Sequence, residues 1–541
     1  MSLTKVSYSM ITGATANVLD FGAVADGTTD ATAAFIAAVS SVSSGGTVYV
    51  PKGSFYFATQ TGANPSIALP SNVHILMDAS AVLITAGGVA SGVNGYNQTG
   101  STQKALFVNS TPSTGNENIS VTGGTIKCTA ASAIGQTHIA FQNVKNVRVQ
   151  SITLLDSWSA CRMQFSYCMD VLVSNVNIAF ANMHAAPFSF EDGIRVGSGC
   201  FKVAIANCNI YSGDDCIAIN NETSETQNTL TSVTPFTYSI NGANIQEVVI
   251  TNVTLKNEAG NALRIYKGPG LSTGTTSRVV MSNFTGRPKH ATTDWGTAIS
   301  LYDNSGITTN GVSSVTISDF ILDCSFLGTS GTGNPAALSI ETTGVDISIS
   351  NGALEGVSVS YGIILGARTT VDNVAVGSCV NDAIYVSSDN SVISNCYIEN
   401  SGVYGIHIAA TASNTMLIGN RIFNTTSSAI KEDSGAAYTT AIGNDVSFSP
   451  ACSIAANVNS IYQNNTGLNP GGTTAVGTTS SPQTITAGYS TEVITIFGGT
   501  VSNIAVNSVN TGATSGSFTL GPNKAVVVTY SSGPTMTRTV L

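Results

Sequence analysis

The 541-residue chain is short of charge. It carries 20 Lys and Arg and 30 Asp and Glu, 9% of its residues, where an ordinary soluble domain has about 25%. Disordered segments pair high charge with low hydrophobicity, and coiled coils and helical repeats are built from Glu, Lys, Arg, Leu and Ala. A chain that is 42% apolar, with a mean hydropathy of +0.22, fits neither class. Long hydrophobic runs are missing as well. No stretch approaches the roughly 18 apolar residues of a membrane span, and the opening Met1 to Met10 segment lacks the apolar core of a secretory signal. Basic clusters are absent and the net charge is −10, so neither nucleic acid nor an anionic membrane is an expected partner. The ten cysteines form no CxxC pair and share no metal-ligand spacing with the five histidines. They read as reduced, mostly buried thiols of a protein made in a cytoplasm, with no metal centre and no cofactor.

What is abundant is glycine, 54 residues of it, among Asn, Ser, Thr and β-branched side chains. That mixture suits extended structure with many tight turns. A six-residue pattern recurs: aliphatic, any, Asn/Asp/Ser/Gly, any, any, aliphatic. It reads VTGGTI from Val121, VQSITL from Val149, VSNVNI from Val173, IANCNI from Ile205 and ITNVTL from Ile250. It returns as ISDFIL from Ile317, ISNGAL from Ile349, VDNVAV from Val371, ISNCYI from Ile393, IGNRIF from Ile418 and IGNDVS from Ile442. Spacings cluster at 22–25 residues, with longer gaps from insertions, the mark of a solenoid. Alternation within each unit is strand-like, and Asn at the third position fits a bend, because Asn tolerates left-handed geometry. Coils of this size stack about 4.8 Å apart as parallel sheets. The expected fold is an all-β, right-handed parallel β-helix.

Two smaller pieces flank it. Thr29 to Val39 reads as a short helix, capped by Thr29 or Asp30 and burying Phe35, Ile36 and Val39, which covers the first open edge of the solenoid. Past Asn464 the repeat fades into Asn469-Pro470-Gly471-Gly472, and segments 491–497, 502–509, 515–520 and 524–530 read as short alternating strands. The expected domains are a neck and capping segment (1–60), a β-helix (61–468) and a small antiparallel β-domain (469–541) that caps and assembles.

Two acidic motifs stand out against so little charge: FEDGIRV (Phe190 to Val196) and SGDDCIAI (Ser212 to Ile219). Asp192 and Asp214 are 22 residues apart, one repeat, so they can share a face on adjacent coils, with Asp215 beside them. Three crowded carboxyl groups repel, at least one holds its proton more tightly, and glycosidic cleavage needs such an acid and base. RIYKG (Arg264 to Gly268) follows 50 residues after Asp214, about two repeats, and brings cations that hold substrate or stabilise charge. Simple turn chemistry is the competing reading of Asp-Gly and Gly-Asp-Asp. Aromatic rings stack on sugar faces, which makes Trp158, one repeat before the acidic motifs, and Trp295, in the polar insertion 287–296, candidate walls of a groove.

The segment NVLDFGAVADGTTDATAAFIAAV (Asn17 to Val39), followed by GGTVYVPKG (Gly45 to Gly53), resembles the opening of pectate-lyase-like β-helix proteins, and with TKVSYSMITGA before it, bacteriophage tailspikes in particular. That resemblance implies a homotrimer in the virion tail that binds and cleaves a bacterial surface polysaccharide, capsule or O-antigen. It also implies contact with other tail proteins through the N-terminus, and a particle-binding head domain that precedes this segment in tailspikes and is absent here. The motif set resembles the polygalacturonase-type glycoside hydrolases, whose site reads Asn-Thr-Asp, Gly-Asp-Asp, Gly-His-Gly and Arg-Ile-Lys. Asp192, Asp214, Asp215 and Arg264 match residue by residue. The resemblance implies Asp214 as proton donor, Asp192 and Asp215 as activators of water, and inversion at the anomeric carbon. Three departures follow. Phe190-Glu191 replaces Asn-Thr, so Glu191 joins the candidates; no histidine lies between Asp215 and Arg264, which leaves His184 as a substitute; and the extra residue in RIYK puts Lys267 opposite Arg264 unless a bulge intervenes, with Tyr266 otherwise in its place. Two other readings stand beside hydrolysis: a polysaccharide lyase holding calcium on Asp192, Asp214 and Asp215, and a non-catalytic adhesin with structural turns.

Overall fold

The structure is a computed structural model that describes residues 15–58, 66–87, 97–98, 101–102, 105–129, 136–157, 160–181, 191–221, 244–268, 274–289, 297–303, 311–328, 335–449, 453–454, 460–467, 472–488 and 491–540. It divides into two compact units, residues 1–348 and 349–541. Both are built from stacked coils of short parallel strands, and no described helix is long and apolar enough to cross a membrane.

In the first unit each coil lays strands on two faces. One face runs through Thr137–Gln142, Met163–Ser166, Ile194–Gly197, Ile217–Asn221, Leu263–Lys267, Ile299–Asp303 and Ala336–Glu341, each pairing in parallel with the next. Inward positions stack like on like. Met163, Ile194, Ile217, Leu263, Ile299 and Leu338 form one buried column, so the repeat's alternation becomes a continuous apolar core. The other face carries the recurring hexapeptides. Phe201–Ser212, Ile245–Asn257, Thr276–Arg287 and Val312–Asp323 pair in parallel, each bent at the motif's third residue.

The bend is the left-handed turn that the pattern implies. Ser151, Asn175, Asn207, Asn252, Asn283 and Asp319 in this unit, and Asn351, Asn373 and Asn395 in the second, have φ between 52° and 57°. Their amides join coil to coil: Asn252 donates to Asn207 at 2.6 Å, Asn283 to Asn252 at 3.1 Å and Asn373 to Asn351 at 3.0 Å. The last two hexapeptides differ. Gly419 and Gly443 take the left-handed position (φ 65° and 69°), which frees Asn420 and Asn444 to turn inward. There they are buried, and the Asn444 and Asn465 side-chain carbonyls accept from the backbone N–H and amide of the coil before, at 2.8–2.9 Å. A buried amide needs such partners.

The helix spans Thr32–Ser41 and starts later than expected, because Asp26–Asp30 is already a strand paired with Gly53–Phe57. The Asp30 carboxylate accepts from the Thr32 N–H at 3.0 Å. Phe35 packs edge-on against Phe55 and Phe57, with ring centroids 5.7 and 4.9 Å away, while Ile36 is only half-buried.

In the second unit the coils run through Tyr361–Leu365, Ile384–Val386, Tyr404–Ile408, Ser428–Glu432 and Ser453–Ile454. From Gly472 the pairing turns antiparallel, in two four-stranded sheets. The four expected strands are there, and Gly472–Val476, Gln483–Thr486 and Thr535–Val540 join them around Ile494, Ile496, Ile504, Leu520, Val526, Val528 and Met536. Nine described cysteines are buried thiols; Cys452 lies outside the described residues.

Candidate active site

The acidic turn 212–216 is held from both sides. Its Gly213 and Asp214 N–H groups donate to the Glu191 carbonyl at 3.2 and 3.3 Å, the Ser212 hydroxyl donates to the Asp214 carbonyl at 2.8 Å, and the Cys216 N–H donates to the Asn261 carbonyl at 2.8 Å. Gly193 donates to the Asp215 carbonyl at 2.8 Å. Gly260 lets the next coil close in: a Cβ there would lie 2.5 Å from Asp214 Oδ1 and 2.5 Å from the Asp215 nitrogen. The turn is thus wedged between two coils, and its carboxyl groups have little freedom.

Asp192, Asp214 and Asp215 come together, with carboxylate oxygens within 4.8 Å of one another. The register differs in one detail from the spacing argument. Ile194 pairs with Ile217, so Asp192 lies over Asp215, 23 residues on, and Asp214 stands beside them. Asp215 is buried; its Oδ1 accepts the Asn261 N–H at 2.7 Å and the Asn261 amide at 2.8 Å, and its Oδ2 faces Arg264 Nη1 at 3.6 Å. Asp192 is also buried, and its Oδ2 accepts two Arg195 donors, Nε at 2.9 Å and Nη2 at 2.7 Å. Burial pushes the Asp192 carboxyl above the ordinary range and Asp215 adds to the rise, while Arg195 and Arg264 oppose it. Asp214, at the tip of the turn, is half-buried.

Arg264 sits one coil from the acidic turn and not two: Ala218 pairs with Arg264, and the intervening residues are a long insertion within that coil. Burial alone would lower its proton affinity, but the Asp215 carboxylate and Tyr302 more than offset this and hold the guanidinium firmly charged. Its Nη2 donates to the Tyr302 hydroxyl at 2.7 Å, and its plane lies 4.7 Å from the Tyr266 ring and 5.5 Å from the Tyr302 ring. The Tyr266 and Tyr302 centroids are 4.6 Å apart. Two fixed cations, Arg195 and Arg264, and a packed tyrosine pair thus stand beside three carboxyl groups.

The strand Leu263–Lys267 runs without a bulge, so Tyr266 shares the face of Arg264 and Lys267 turns inward, buried across from Asp303. Burial lowers the Lys267 ammonium, and Asp303 opposes the shift. Tyr266, not Lys267, is on the face that carries Arg264. Glu191 is corrected likewise. Its side chain is fully buried and faces the equally buried Arg162 at 3.8 Å, an internal ion pair instead of a fourth carboxylate at the surface. Trp158, His184 and Trp295 lie outside the described residues.

Arg195, Asn261 and Tyr302 are the functional residues that sequence reasoning passed over. Each carried a signal in the repeat: Arg195 stands one position after an inward isoleucine, as Arg264 does after Leu263, and Asn261 stands two before Leu263, as Asp215 does before Ile217. Tyr302 pairs directly with Tyr266.

Residues 101–380 match the family model described as glycosyl hydrolases family 28. Over 90 residues the chain is 40% identical to a probable polygalacturonase of Arabidopsis thaliana; the match spans 16% of this chain and 18% of that protein. Among solved structures the fold is similar to a mutant tailspike protein of E. coli bacteriophage HK620, with TM-score 0.52 and 12% identity over 97% of this chain and 93% of that one. It is also similar to PfbA, a surface adhesin of Streptococcus pneumoniae, with TM-score 0.51 and 18% identity over 77% of this chain and 91% of that one. At these identities the two structures speak to fold alone.

Proposed function

The chain belongs to glycosyl hydrolases family 28, and on that premise we propose that it hydrolyses glycosidic bonds of a bacterial surface polysaccharide. The observation that carries the reading is the triad of carboxyl groups within 4.8 Å, two of them fixed by cations and amides and the third at the tip of its turn. Fixed donors hold both the Asp192 and the Asp215 carboxyl groups in place, which suits the pair to hold and deprotonate a water. Burial and the neighbouring Asp215 raise Asp192, which makes it the stronger proton acceptor. Asp214 is then the proton donor. In the reaction the glycosidic C–O bond breaks as the Asp214 proton passes to the leaving oxygen. The water oxygen bonds to the anomeric carbon, and its proton goes to the Asp192 and Asp215 pair. Inversion of the anomeric centre, with water arriving opposite the leaving group, is proposed from the likeness of the motif set to polygalacturonases. Arg264 and the partly open Tyr302 hold the sugar ring, with the buried Tyr266 packed behind them: the Tyr302 face stacks and the guanidinium reaches the sugar oxygens.

Calcium-assisted elimination fits these residues less well. Calcium takes about six to eight oxygen ligands, whereas Arg195 and Arg264 already face Asp192 and Asp215. A tailspike setting, a homotrimer in a virion tail acting outside the host cell, is the proposed context. It is supported by the tailspike-like segment 17–53 and by the fold. The antiparallel sheets from Gly472 onward are the proposed assembly element. The test is product analysis on candidate host polysaccharides. New reducing ends without the ultraviolet absorbance of an unsaturated uronate, formed equally with chelator present, support hydrolysis; unsaturated ends overturn it.

A further inference from the structure

The second unit repeats the site's register with different residues. Asp382 stands two positions before Ile384, as Asp192 does before Ile194, and His407 stands one after Ile406, as Arg264 does after Leu263. Tyr385, His407 and Lys431 pair in one outward row on three successive coils. Tyr361 and Tyr404 open their strands beside it, and Asp382 stands two residues before the strand Ile384–Val386 between them.

These side chains touch. The Tyr361 and Tyr385 rings are 5.4 Å apart, Tyr385 and His407 5.1 Å, and Tyr404 and His407 4.9 Å. His407 is fixed at both nitrogens, with Nδ1 2.8 Å from Asp382 Oδ2 and Nε2 3.2 Å from Asp433 Oδ2, and Lys431 lies 3.3 Å from Asp433. All three tyrosines are half-exposed, whereas Ile363, Ile384, Ile406 and Ile408 behind them are fully buried. A core role does not explain partly open rings, and a surface ion pair does not explain three rings around it.

We propose that Tyr361, Tyr385 and Tyr404, with His407 and its two aspartates, form a second carbohydrate-binding platform in residues 349–541, for a chain of neutral hexose units. The rings offer apolar faces backed by hydroxyls, the amphipathic surface that a pyranose ring matches. Coil spacing of about 4.8 Å places successive rings one sugar residue apart. Neutral sugar is the matching class because the cationic side chains here already face carboxylates: Lys431 faces Asp433, and His407 lies between Asp382 and Asp433. The two carboxylates hold the His407 imidazolium above its ordinary range although burial acts against it. The carboxylates keep accepting capacity for sugar hydroxyls. Binding here needs no turnover, so the inference stands apart from the hydrolytic reading.

The test uses the full chain on an array of neutral gluco-, galacto- and manno-oligosaccharides of six or more units, with uronate-containing oligomers on the same array. At least one neutral probe is retained, Tyr385→Ala and Tyr404→Ala each weaken retention tenfold or more, and Tyr385→Phe, which keeps the ring, preserves it. Circular dichroism confirms that each variant is folded; if Tyr385→Ala is not, Tyr404→Ala and Tyr361→Ala carry the test. Retention of no neutral probe, retention of uronate oligomers alone, or neutral binding that survives all tyrosine variants and falls only in Arg264→Ala overturns the proposal.

Discussion

Gly260→Ala is the sharpest probe of how the acidic turn is held. The added methyl would meet Asp214 Oδ1 and the Asp215 nitrogen at 2.5 Å, against 3.4 Å for ordinary contact, so something must yield by about 0.9 Å. The residue has no left-handed φ, so the substitution acts through the contact and not through backbone strain. Besides the Asp215 nitrogen, the Asp214 carbonyl carbon lies at 2.6 Å, so the turn held by the Glu191 and Asn261 carbonyls must itself shift and carry the Asp214 carboxyl with it. A displacement of about 1 Å in a catalytic group costs roughly 10²-fold in rate, and overpacking costs about 1–3 kcal/mol of stability. The expected result is a fall in kcat of about two orders of magnitude with a modest drop in Tm and a folded chain. Reducing-end assays on a cleaved polysaccharide and thermal unfolding measure both. Gly477→Ala, where no atom lies within 4 Å, serves as the control. Wild-type kcat in Gly260→Ala would refute the wedged-turn argument; an effect on KM alone would show that the turn positions substrate and not the proton donor.

Two further outcomes follow from the same structure. His407 has a raised folded-state value, so the stability it contributes is complete below its unfolded value of about 6.5 and is lost as pH rises through the folded value. The groups facing it are Asp382, Asp433, Lys431, Tyr385 and Tyr404. The Tm gap between the wild type and His407→Gln should therefore be widest at acidic pH, while the carboxylates remain charged, and close towards alkaline pH; a gap that widens there contradicts it. Light scattering should report a trimer that weakens when residues 472–541 are removed, and a monomer for the intact chain contradicts the tailspike setting.

The hexapeptide was legible because one residue in each coil must adopt positive φ, and Asn, Asp, Ser or Gly there marks the bend whatever the loops do. Period arithmetic worked for Asp192 and Asp214 because little is inserted between them. It misplaced Arg264 by a coil, since Ala218 and Arg264 are neighbours although 46 residues apart, about twice the repeat. Glu191 was misread for another reason: a buried charge is not marked as such in the sequence until its partner, Arg162, is seen on the neighbouring coil; Lys267 turns inward as the alternation implies, with no bulge to return it. His407 shows a related limit. Its partners Asp382 and Asp433 lie 25 and 26 residues away, on either side of it.

The central claim is that Asp192, Asp214 and Asp215 act as one hydrolytic site, and isosteric replacement tests it most directly. Each Asp→Asn variant keeps the shape of its side chain and removes its ability to carry the proton. Initial rates of reducing-end formation should fall about 10²–10⁴-fold in each, with wild-type glycan retention in Asp214→Asn. Undiminished cleavage in all three variants would leave these residues as turns and contradict the account.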